Sequence, residues 1–157
     1  YAWQYDYDMA VQFDGDGQHD AAYLEMMAGK LLETGSDMVI GSRFIEKEGF
    51  QSSGLRRLGI RYFSALLWLL TGKRVTDPTS GMRMVNRDVI RIYAVNYPKD
   101  YPEPESVMSM LRMGKKVREM PVVMREREEG TSSIGGLSSV YYMVKVTLAI
   151  LMERLRR

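Results

Sequence analysis

The hydrophobic and polar positions along the chain follow two different periods, and together they predict a mixed α/β fold. Met9 to Phe13 and Asp37 to Gly41 are short apolar runs, which are typical of buried strands. From Ala21 to Thr34 the apolar residues recur at helical spacing, and Gly35 is a stop signal for that helix. A strand, a helix and a strand in this order predict one βαβ unit and a parallel sheet.

The same periodicities predict further helices and one further strand. They are a helix from Leu55 to Leu70, a helix capped by Asn86 that runs to about Val95, a helix from Glu105 to Met113 that stops at Gly114, a strand from Lys116 to Val123 and a helix from Leu137 to Arg157. Tyr97 to Pro104 contains three prolines, which predicts an irregular segment. Arg125 to Gly136 is charged and then rich in glycine and serine, which predicts a mobile loop.

Two of the predicted helices combine an apolar side with a basic end. The apolar face of the last helix is predicted at Leu137, Val140, Tyr141, Val144, Leu148, Leu151 and Leu155. That helix ends in Arg154, Arg156 and Arg157, and the helix from Leu55 begins with Arg56 and Arg57. Both helices are expected at a membrane surface. The alternative is that they pack on the core or on a second copy, with solvated basic ends.

Two carboxylates follow the first predicted strand. Asp14 and Asp16 are spaced i, i+2, so they project to the same side of an extended segment, and Gln18 takes the next position on that side. Oxygen ligands of this kind suit Mg²⁺ or Mn²⁺. Ligands bind at the carboxyl ends of parallel strands, which agrees with a metal site here. The alternative is a polar turn after an edge strand.

The charge is unevenly distributed, although the net charge is only +2. Residues 1–50 contain ten acidic and three basic residues, and residues 51–157 contain ten acidic and nineteen basic ones. The C-terminal two-thirds should therefore attract anions. Because the chain has no cysteine and one histidine, thiolate and His-rich metal sites are not expected. It also has no run of about 18 apolar residues, so no membrane span is predicted.

Arginines accompany several polar loops. They lie in Gly41-Ser42-Arg43, in Arg56-Arg57, in the segment from Asp77 to Arg83 and in the segment from Arg125 to Ser133. A single arginine of this kind is often only solvated, but the planar guanidinium suits phosphate oxygens. A carboxylate pair followed by several arginine-bearing loops could hold a nucleotide diphosphate and a second anionic substrate.

Four ordered motifs resemble those of family 2 glycosyltransferases. They are Phe-Asp-Gly-Asp-Gly-Gln-His at 13–19, Gly-Ser-Arg-Phe at 41–44, Asp-Pro-Thr-Ser-Gly-Met-Arg at 77–83 and Arg-Glu-Arg-Glu-Glu-Gly-Thr-Ser-Ser-Ile at 125–134. The nearest resemblance is to the dolichyl- or polyprenyl-phosphate mannose synthase branch and its bacterial cell-surface polysaccharide relatives. It implies a GT-A fold, a Rossmann-like mixed sheet flanked by helices with a long C-terminal helix.

The resemblance also implies roles for single residues. Asp14, Asp16 and Gln18 match the metal and sugar-nucleotide site, and Arg43 and Arg57 match arginines that bind acceptor or diphosphate anions. The other matches are Asp77, Ser80 and Arg83 beside the donor sugar and acceptor, Glu105 as an acidic site residue, and Arg125 or Arg127 in a loop that closes on the diphosphate. Asp77 and Glu105 are the candidates to take a proton from a hydroxyl acceptor. For Glu105 the alternative is a helix N-terminal acid that stabilises the dipole.

The chain departs from the family pattern at two places. The family's first strand and its Pro-x-Tyr-Asn-Glu segment are absent, so we expect residues 1–135 to be the C-terminal two-thirds of a GT-A domain and residues 136–157 to be an amphipathic helix. Part of the nucleotide-base pocket would then be missing. Glu129 also stands where the family pattern leads us to expect Gly or Ala, which bears on the flexibility of the closing loop.

The implied function is metal-dependent, inverting transfer of a sugar from a nucleotide-diphospho-sugar to a lipid-linked acceptor, in cell-envelope glycan synthesis. The expected partners are the nucleotide-sugar donor, the lipid-linked acceptor, a membrane surface and a possible second copy, with no nucleic acid. The expected location is the cytoplasmic face of a bacterial cell membrane. The alternatives are a nucleotidyltransferase or a phosphatase, a basic anion-binding module without catalysis, and an inactive fragment that associates through sheet edges.

Overall fold

The structure is a computed structural model that describes residues 1–15, 17–46, 48, 54–98, 101–125 and 137–156, with the backbone alone at 55 and 137–139. The elements in chain order are β1 (Met9–Gln12), α1 (Tyr23–Thr34), β2 (Met38–Ser42), α2 (Gly54–Thr71), β3 (Arg83–Asn86), α3 (Arg87–Val95), α4 (Pro102–Arg112), β4 (Val117–Pro121) and α5 (Leu137–Leu155). The predicted α/β class with a long C-terminal helix is confirmed.

The four strands form one mixed sheet in the order β1-β3-β2-β4. β3 runs antiparallel to both of its neighbours, and β2 pairs with β4 in parallel. β1 and β2 therefore point the same way, as predicted, but β3 separates them. The mixed sheet that the resemblance implied is confirmed. The parallel sheet expected from the βαβ unit alone did not include β3, whose four residues and polar ends hide the strand pattern.

Both faces of the sheet are covered by helices. Met38 and Ile40 of β2 point to the face that packs against α2, α3, α4 and α5, and Val39 points to the opposite face, against α1. This alternation is the period of two that a strand imposes. All five residues of β2 are buried, so the strand end that carries Ser42 is enclosed between the helix layers.

α4 begins earlier than its sequence predicts. The segment from Tyr97 to Pro104 was expected to be irregular, but Pro102 is the first residue of α4 and Pro104 lies in its first turn. Proline is tolerated there because the first turn of a helix makes no use of its backbone N–H groups. Asn86 caps α3 as predicted, since its side chain accepts a hydrogen bond from the N–H of Val89.

α5 buries a different face from the predicted one. Val146 and Ile150 are fully buried, whereas Leu148, on the predicted face, is 52% exposed. The other described members of that face are also exposed: Val140, Tyr141, Val144, Leu151 and Leu155. α5 is apolar on two sides, and its contact with α4, where Arg112 pairs with Glu153 at 3.1 Å, decides which side is covered. Among the described helices, none has the length and apolarity needed to cross a bilayer.

Candidate active site

The loop after β1 meets the loop before β3 at Asp14 and Gly81. A β-carbon built on Gly81 would lie 2.0 Å from Oδ2 of Asp14, so only glycine allows this approach. The side chain of Asp14 is 49% exposed. Two predicted motifs, the carboxylate loop and the loop from Asp77 to Arg83, are therefore in direct contact, although more than sixty residues separate them in the sequence.

His19 supports the Asp14 carboxylate from inside the loop. Its Nε2 lies 3.6 Å from Oδ2 of Asp14, its side chain is only 3% exposed, and its ring lies 5.5 Å from that of Phe13. Its Nδ1 is buried and has no hydrogen-bond partner among the residues that the structure describes. Sequence analysis placed this histidine at the end of the first motif and counted it against a His-rich zinc site, but it assigned the side chain no role.

Gln18 and Arg125, both predicted site residues, are neighbours. The side chain of Gln18 donates to the carbonyl of Arg125 at 3.3 Å, and the N–H of Arg125 donates to the carbonyl of Gln18 at 3.0 Å. Nη2 of Arg125 lies 2.7 Å from a carboxylate oxygen of Asp20. The hydrogen bond from the N–H of Ala22, helped by Arg125, lowers the pKa of Asp20. Asp16 and Arg127 lie outside the described residues.

The described part of the metal site supplies oxygen donors only. Within residues 1–15 and the other described ranges, no three His, Cys, Asp or Glu side chains converge on one point. The half-exposed Asp14 carboxylate and the Gln18 amide are hard donors at the end of a strand, which fit Mg²⁺ or Mn²⁺ completed by substrate phosphates and water. The residues present are therefore compatible with the expected ion.

Arg43 and Asp77 form a buried bidentate pair. Nε and Nη2 of Arg43 donate to the two carboxylate oxygens of Asp77 at 2.7 and 2.6 Å, and the N–H of Arg43 donates at 3.2 Å. Asp77 is fully buried, and Arg43 is 6% exposed. Nη2 of Arg43 also donates to Thr79 at 3.0 Å. Both carboxylate oxygens of Asp77 are therefore bonded to Arg43, and Oδ1 also accepts a hydrogen bond from the hydroxyl of Thr79 at 3.3 Å.

Glu119 of β4 joins this pair and was missed by sequence reasoning. Its carboxylate accepts hydrogen bonds from the N–H and the hydroxyl of Thr76 and from the N–H of Asp77, at 2.8–2.9 Å. Burial raises the pKa of Glu119, the hydrogen bonds oppose that rise, and the Asp77 charge adds to it. One feature of the sequence could have indicated Glu119. It lies two residues after Val117, on the side of the strand where an apolar residue is expected.

Ser80 and Arg83 make internal contacts. The hydroxyl of Ser80, which is buried, donates to the carbonyl of Gly41 at 2.6 Å and accepts from the N–H of Met82 at 3.2 Å. Arg83 is also buried and links β1 and β3 to the start of α4. Its guanidinium donates to Gln12, Tyr97, Ser106 and the carbonyls of Pro102 and Glu103. Both side chains therefore bind protein groups that support the site.

Glu105 lies in the first turn of α4, together with Glu103. A carboxylate in this position stabilises the helix dipole. Its N–H donates to the carbonyl of Tyr101 at 3.2 Å. The position agrees with the structural alternative that the sequence left open, and a catalytic role for Glu105 stays a prediction.

A basic cleft opens between α2 and the segment that follows β2. Its volume is about 860 Å³. Its polar wall and its aromatic groups are provided by Phe44, Arg57, Arg61, Trp68, Arg74 and Thr76. Ile60 and Ala65 add apolar wall. Three guanidinium groups beside apolar surface suit an anion that carries a hydrocarbon chain. Arg57 was predicted, whereas Arg61, Arg74 and Trp68 were not.

The chain belongs to the family described as Glycosyl transferase family 2, whose sequence profile matches residues 5–93. It is 31% identical over 136 residues to the undecaprenyl-phosphate mannosyltransferase of Micrococcus luteus, covering 83% of this chain and 54% of that protein. It is 27% identical over 144 residues to the polyprenol monophosphomannose synthase of Mycolicibacterium smegmatis, covering 89% and 54%. The chain thus spans about half the length of these relatives.

A solved structure shares the fold. The crystal structure of glucosyl-3-phosphoglycerate synthase from Mycobacterium tuberculosis, in complex with phosphoglyceric acid, superposes with a TM-score of 0.66. The match covers 96% of this chain and 51% of the synthase chain, with 18% sequence identity. The predicted GT-A fold is confirmed, and the relatives place the chain in the predicted polyprenyl-phosphate branch of its family.

Proposed function

We propose that this chain carries the acceptor side and the metal side of a glycosyltransferase site that transfers a sugar from a nucleotide-diphospho-sugar to a polyprenyl phosphate. One observation carries the proposal: residues 76–81, here called the bridge segment, connect both sides. Thr76 lines the basic cleft, Asp77 holds Arg43, and Gly81 touches Asp14. Five residue steps span at most about 18 Å, so the cleft and the Asp14 carboxylate belong to one site.

The metal side handles the leaving group. Asp14, Asp16 and Gln18 would hold Mg²⁺ or Mn²⁺, which when bound neutralises charge on the donor diphosphate. Arg125, which is hydrogen-bonded to Gln18, has a side chain that is 67% exposed and can turn from Asp20 towards the diphosphate oxygens. We propose the same role for Arg127, which lies outside the described residues. Neutralising the diphosphate allows it to depart with the electron pair of the sugar C1–O bond.

The acceptor side holds a phosphate that needs no general base. Phosphate monoesters are already ionised near neutral pH, so an acceptor oxygen attacks C1 without losing a proton. Arg57, Arg61 and Arg74 would position this oxygen on the face opposite the diphosphate, which gives inversion. The geometry of Asp77 favours this acceptor over a sugar hydroxyl, because both of its oxygens are already bound to Arg43.

The lipid part of the acceptor points to a membrane surface on α2 and α5. The two helices meet where the hydroxyl of Tyr62 lies 3.2 Å from that of Thr147. Apolar side chains are exposed around this contact: Leu58, Tyr62, Val140, Tyr141, Val144, Leu148 and Leu151, here called the apolar surface. Exposed Arg56, Lys145 and Arg154 flank it. In a face-to-face dimer these basic residues would repel those of the second copy. An anionic bilayer would instead attract them.

Calorimetry and a transfer assay test the proposal. We expect a GDP- or UDP-sugar to bind only with Mn²⁺ and to lose that binding in Asp14→Asn and Asp16→Asn. We also expect sugar transfer to farnesyl phosphate but not to farnesol. Binding that is independent of Mn²⁺, or equal use of farnesol, would overturn the metal or the phosphate-acceptor part respectively. Binding of anions without any transfer would favour the non-catalytic anion-binding alternative.

A cosedimentation assay tests the membrane part. We expect vesicles with anionic lipid to retain the protein and vesicles of neutral phosphatidylcholine to retain much less. Replacing Leu148 and Leu151 with serine should release the protein from both. If the protein instead forms dimers that the same substitutions dissociate, the apolar surface is a contact between copies.

A further inference from the structure

Glu119 is the anchor of one end of the bridge segment. Three donors converge on its carboxylate: the N–H of Thr76 at 2.8 and 2.9 Å from the two oxygens, the hydroxyl of Thr76 at 2.9 Å and the N–H of Asp77 at 2.8 Å. These donors belong to two consecutive residues, so one side chain fixes the position of both peptide units. Glu119 itself is held on β4, whose backbone pairs with β2 at Ile40.

The anchor is a carboxylate without a cation beside it. Within the described residues, no Lys, Arg or His nitrogen lies within 4.0 Å of Glu119. The donors that reach it from the described part of the chain are neutral, and the neighbouring charge is that of the Asp77 carboxylate. This arrangement brings two acids close together in a largely enclosed place. It is stable because Arg43 sits on the far side of Asp77 and neutralises it.

The bridge segment is anchored separately at its other end. The hydroxyl of Ser80 donates to the carbonyl of Gly41 on β2 at 2.6 Å, and this bond does not involve Glu119. A longer hydrogen bond of 3.3 Å, from the N–H of Ser80 to the carbonyl of Asp77, connects the two ends of the segment. The metal side of the site therefore depends on Ser80 and Gly81. Glu119 holds the backbone N–H groups of Thr76, which lines the basic cleft, and of Asp77, which places Arg43. The hydroxyl of Thr76 also lies 2.8 Å from that of Ser42.

We propose that Glu119 is a positioning residue for the acceptor cleft, which it shapes by holding Thr76 and Asp77 in place. This inference rests on the proposed function, because it assumes that the cleft takes a prenyl phosphate. Its effect passes through Asp77 to Arg43 and through Thr76 to the wall of the cleft. Glu119 does not itself contact a substrate.

Glutamine is the informative replacement at position 119. It keeps the size of the side chain but offers one acceptor oxygen and one NH₂ group to three converging donors. Oε1 accepts from all three donors and Oε2 from the N–H of Thr76 alone, so an NH₂ group in the place of Oε2 would face that N–H at 2.8 Å. Two donors then oppose each other, which moves the backbone of Thr76, and the reverse orientation of the amide opposes all three donors. Glu33→Gln, on the exposed side of α1, is the matched control because it makes the same chemical change away from the site.

Fluorescence of Trp68 reports binding in the cleft. The chain has two tryptophans, so Trp3→Phe leaves Trp68, which lines the cleft, as the single reporter. Farnesyl phosphate is the probe, titrated into Trp3→Phe with and without Glu119→Gln or Glu33→Gln. We expect Glu119→Gln to weaken binding by about tenfold, because the displaced Thr76 no longer holds its part of the cleft wall, and Glu33→Gln to leave it unchanged.

A second readout separates positioning from a general loss of structure. Because the Ser80 hydroxyl ties the metal side to Gly41 on β2, Mn²⁺-dependent binding of the nucleotide-sugar to Glu119→Gln should stay within about twofold of the parent. In the transfer assay the KM for farnesyl phosphate should rise, with kcat changed much less. An equal loss of donor and acceptor binding would overturn the inference.

The remaining outcomes distinguish failure of the proposed function from failure of the inference on Glu119. If the parent protein does not bind farnesyl phosphate, the proposed function fails, and the inference falls with it. If the parent binds and Glu119→Gln binds equally well, only the inference on Glu119 fails. If Glu119→Gln does not fold, Thr76→Val, which removes one donor and keeps the shape of the wall, replaces it. Unchanged farnesyl phosphate affinity in Thr76→Val would then overturn the inference.

Discussion

Asp14 and Gly81 are in direct contact: a β-carbon on Gly81 would lie 2.0 Å from Oδ2 of Asp14 and 2.7 Å from its Cγ. A contact this short with a new side chain is not tolerated, and Asp14 would have to move. The glycine of the bridge segment is therefore a condition for the orientation of the proposed metal ligand. Its backbone conformation is one that other residues also adopt, so the requirement comes from space alone.

Replacing Gly81 with alanine should weaken Mn²⁺ binding by about tenfold or more, because the methyl group displaces the Asp14 carboxylate from the ligand position. Calorimetry with Mn²⁺ and nucleotide-sugar measures this loss. The control is Gly29→Ala in α1, where a β-carbon meets nothing within 4 Å. This control should keep Mn²⁺ affinity and gain up to about 1 kcal/mol of stability from helix propensity. Unchanged Mn²⁺ affinity in Gly81→Ala would contradict the role of the contact.

Breaking the pair between Arg43 and Asp77 should destabilise the fold by about 3–5 kcal/mol, because either single change leaves a buried charge or polar group without its partner. Urea unfolding of Asp77→Asn and Arg43→Met measures this cost. The double variant should be less destabilised than the sum of the two, since it leaves no uncompensated charge. Strictly additive costs would show that the two side chains do not interact in solution.

The two apolar sides of α5 should respond differently to substitution. Ile150→Ala should cost about 2–5 kcal/mol of stability, since Ile150 is fully buried and a cavity remains. Leu148→Ser, on the exposed side, should change stability by less than about 0.5 kcal/mol. Urea midpoints give both values. A large cost for Leu148→Ser would mean that the sequence-predicted face of the helix is buried after all.

Asp37 should contribute to stability at neutral pH and lose that contribution in acid. Burial raises the pKa of its carboxyl, but the N–H of Lys116, the Asn86 amide and the Lys115 ammonium outweigh it, so the pKa lies below the ordinary 3.8. A lowered folded-state pKa gives stability that is present above pH 3.8 and disappears as the pH falls through the folded value. The difference in unfolding free energy between the parent and Asp37→Asn should therefore shrink below pH 3.8. A difference that stays constant between pH 7 and pH 2.5 would refute this.

Much of the element content follows from local pattern. The 3.6-residue period located α1 and α2 to within a few residues, and the Asn86 cap located the start of α3. Gly114, with a positive φ of 73°, follows α4 as predicted. These features are decided by neighbouring residues in the chain. The described residues of the first motif follow β1, Arg43 and Phe44 follow β2, and residues 77–82 precede β3, whereas most of the fourth motif lies outside the described residues.

The order of the strands and the contacts of the site residues depend on residues that are distant in the sequence. Nothing local to the four residues of β3 shows that they separate β1 from β2, because strand order depends on partners distant in the sequence. The motif residues Asp77, Ser80 and Arg83 were read as groups that face substrates. The structure shows each of them bound to protein groups: Asp77 to Arg43, Ser80 to Gly41, and Arg83 to the start of α4.

The sequence by itself determined which chemical groups this protein has and which secondary elements carry them, since both depend on residue type and short-range spacing. Only the tertiary structure decided that Glu119 anchors the bridge segment, that Gly81 touches Asp14 and that α5 buries Val146 and not Leu148. The reason is physical: hydrogen bonds and close packing act between atoms a few ångströms apart. In a mixed sheet those atoms come from strands and loops tens of residues away.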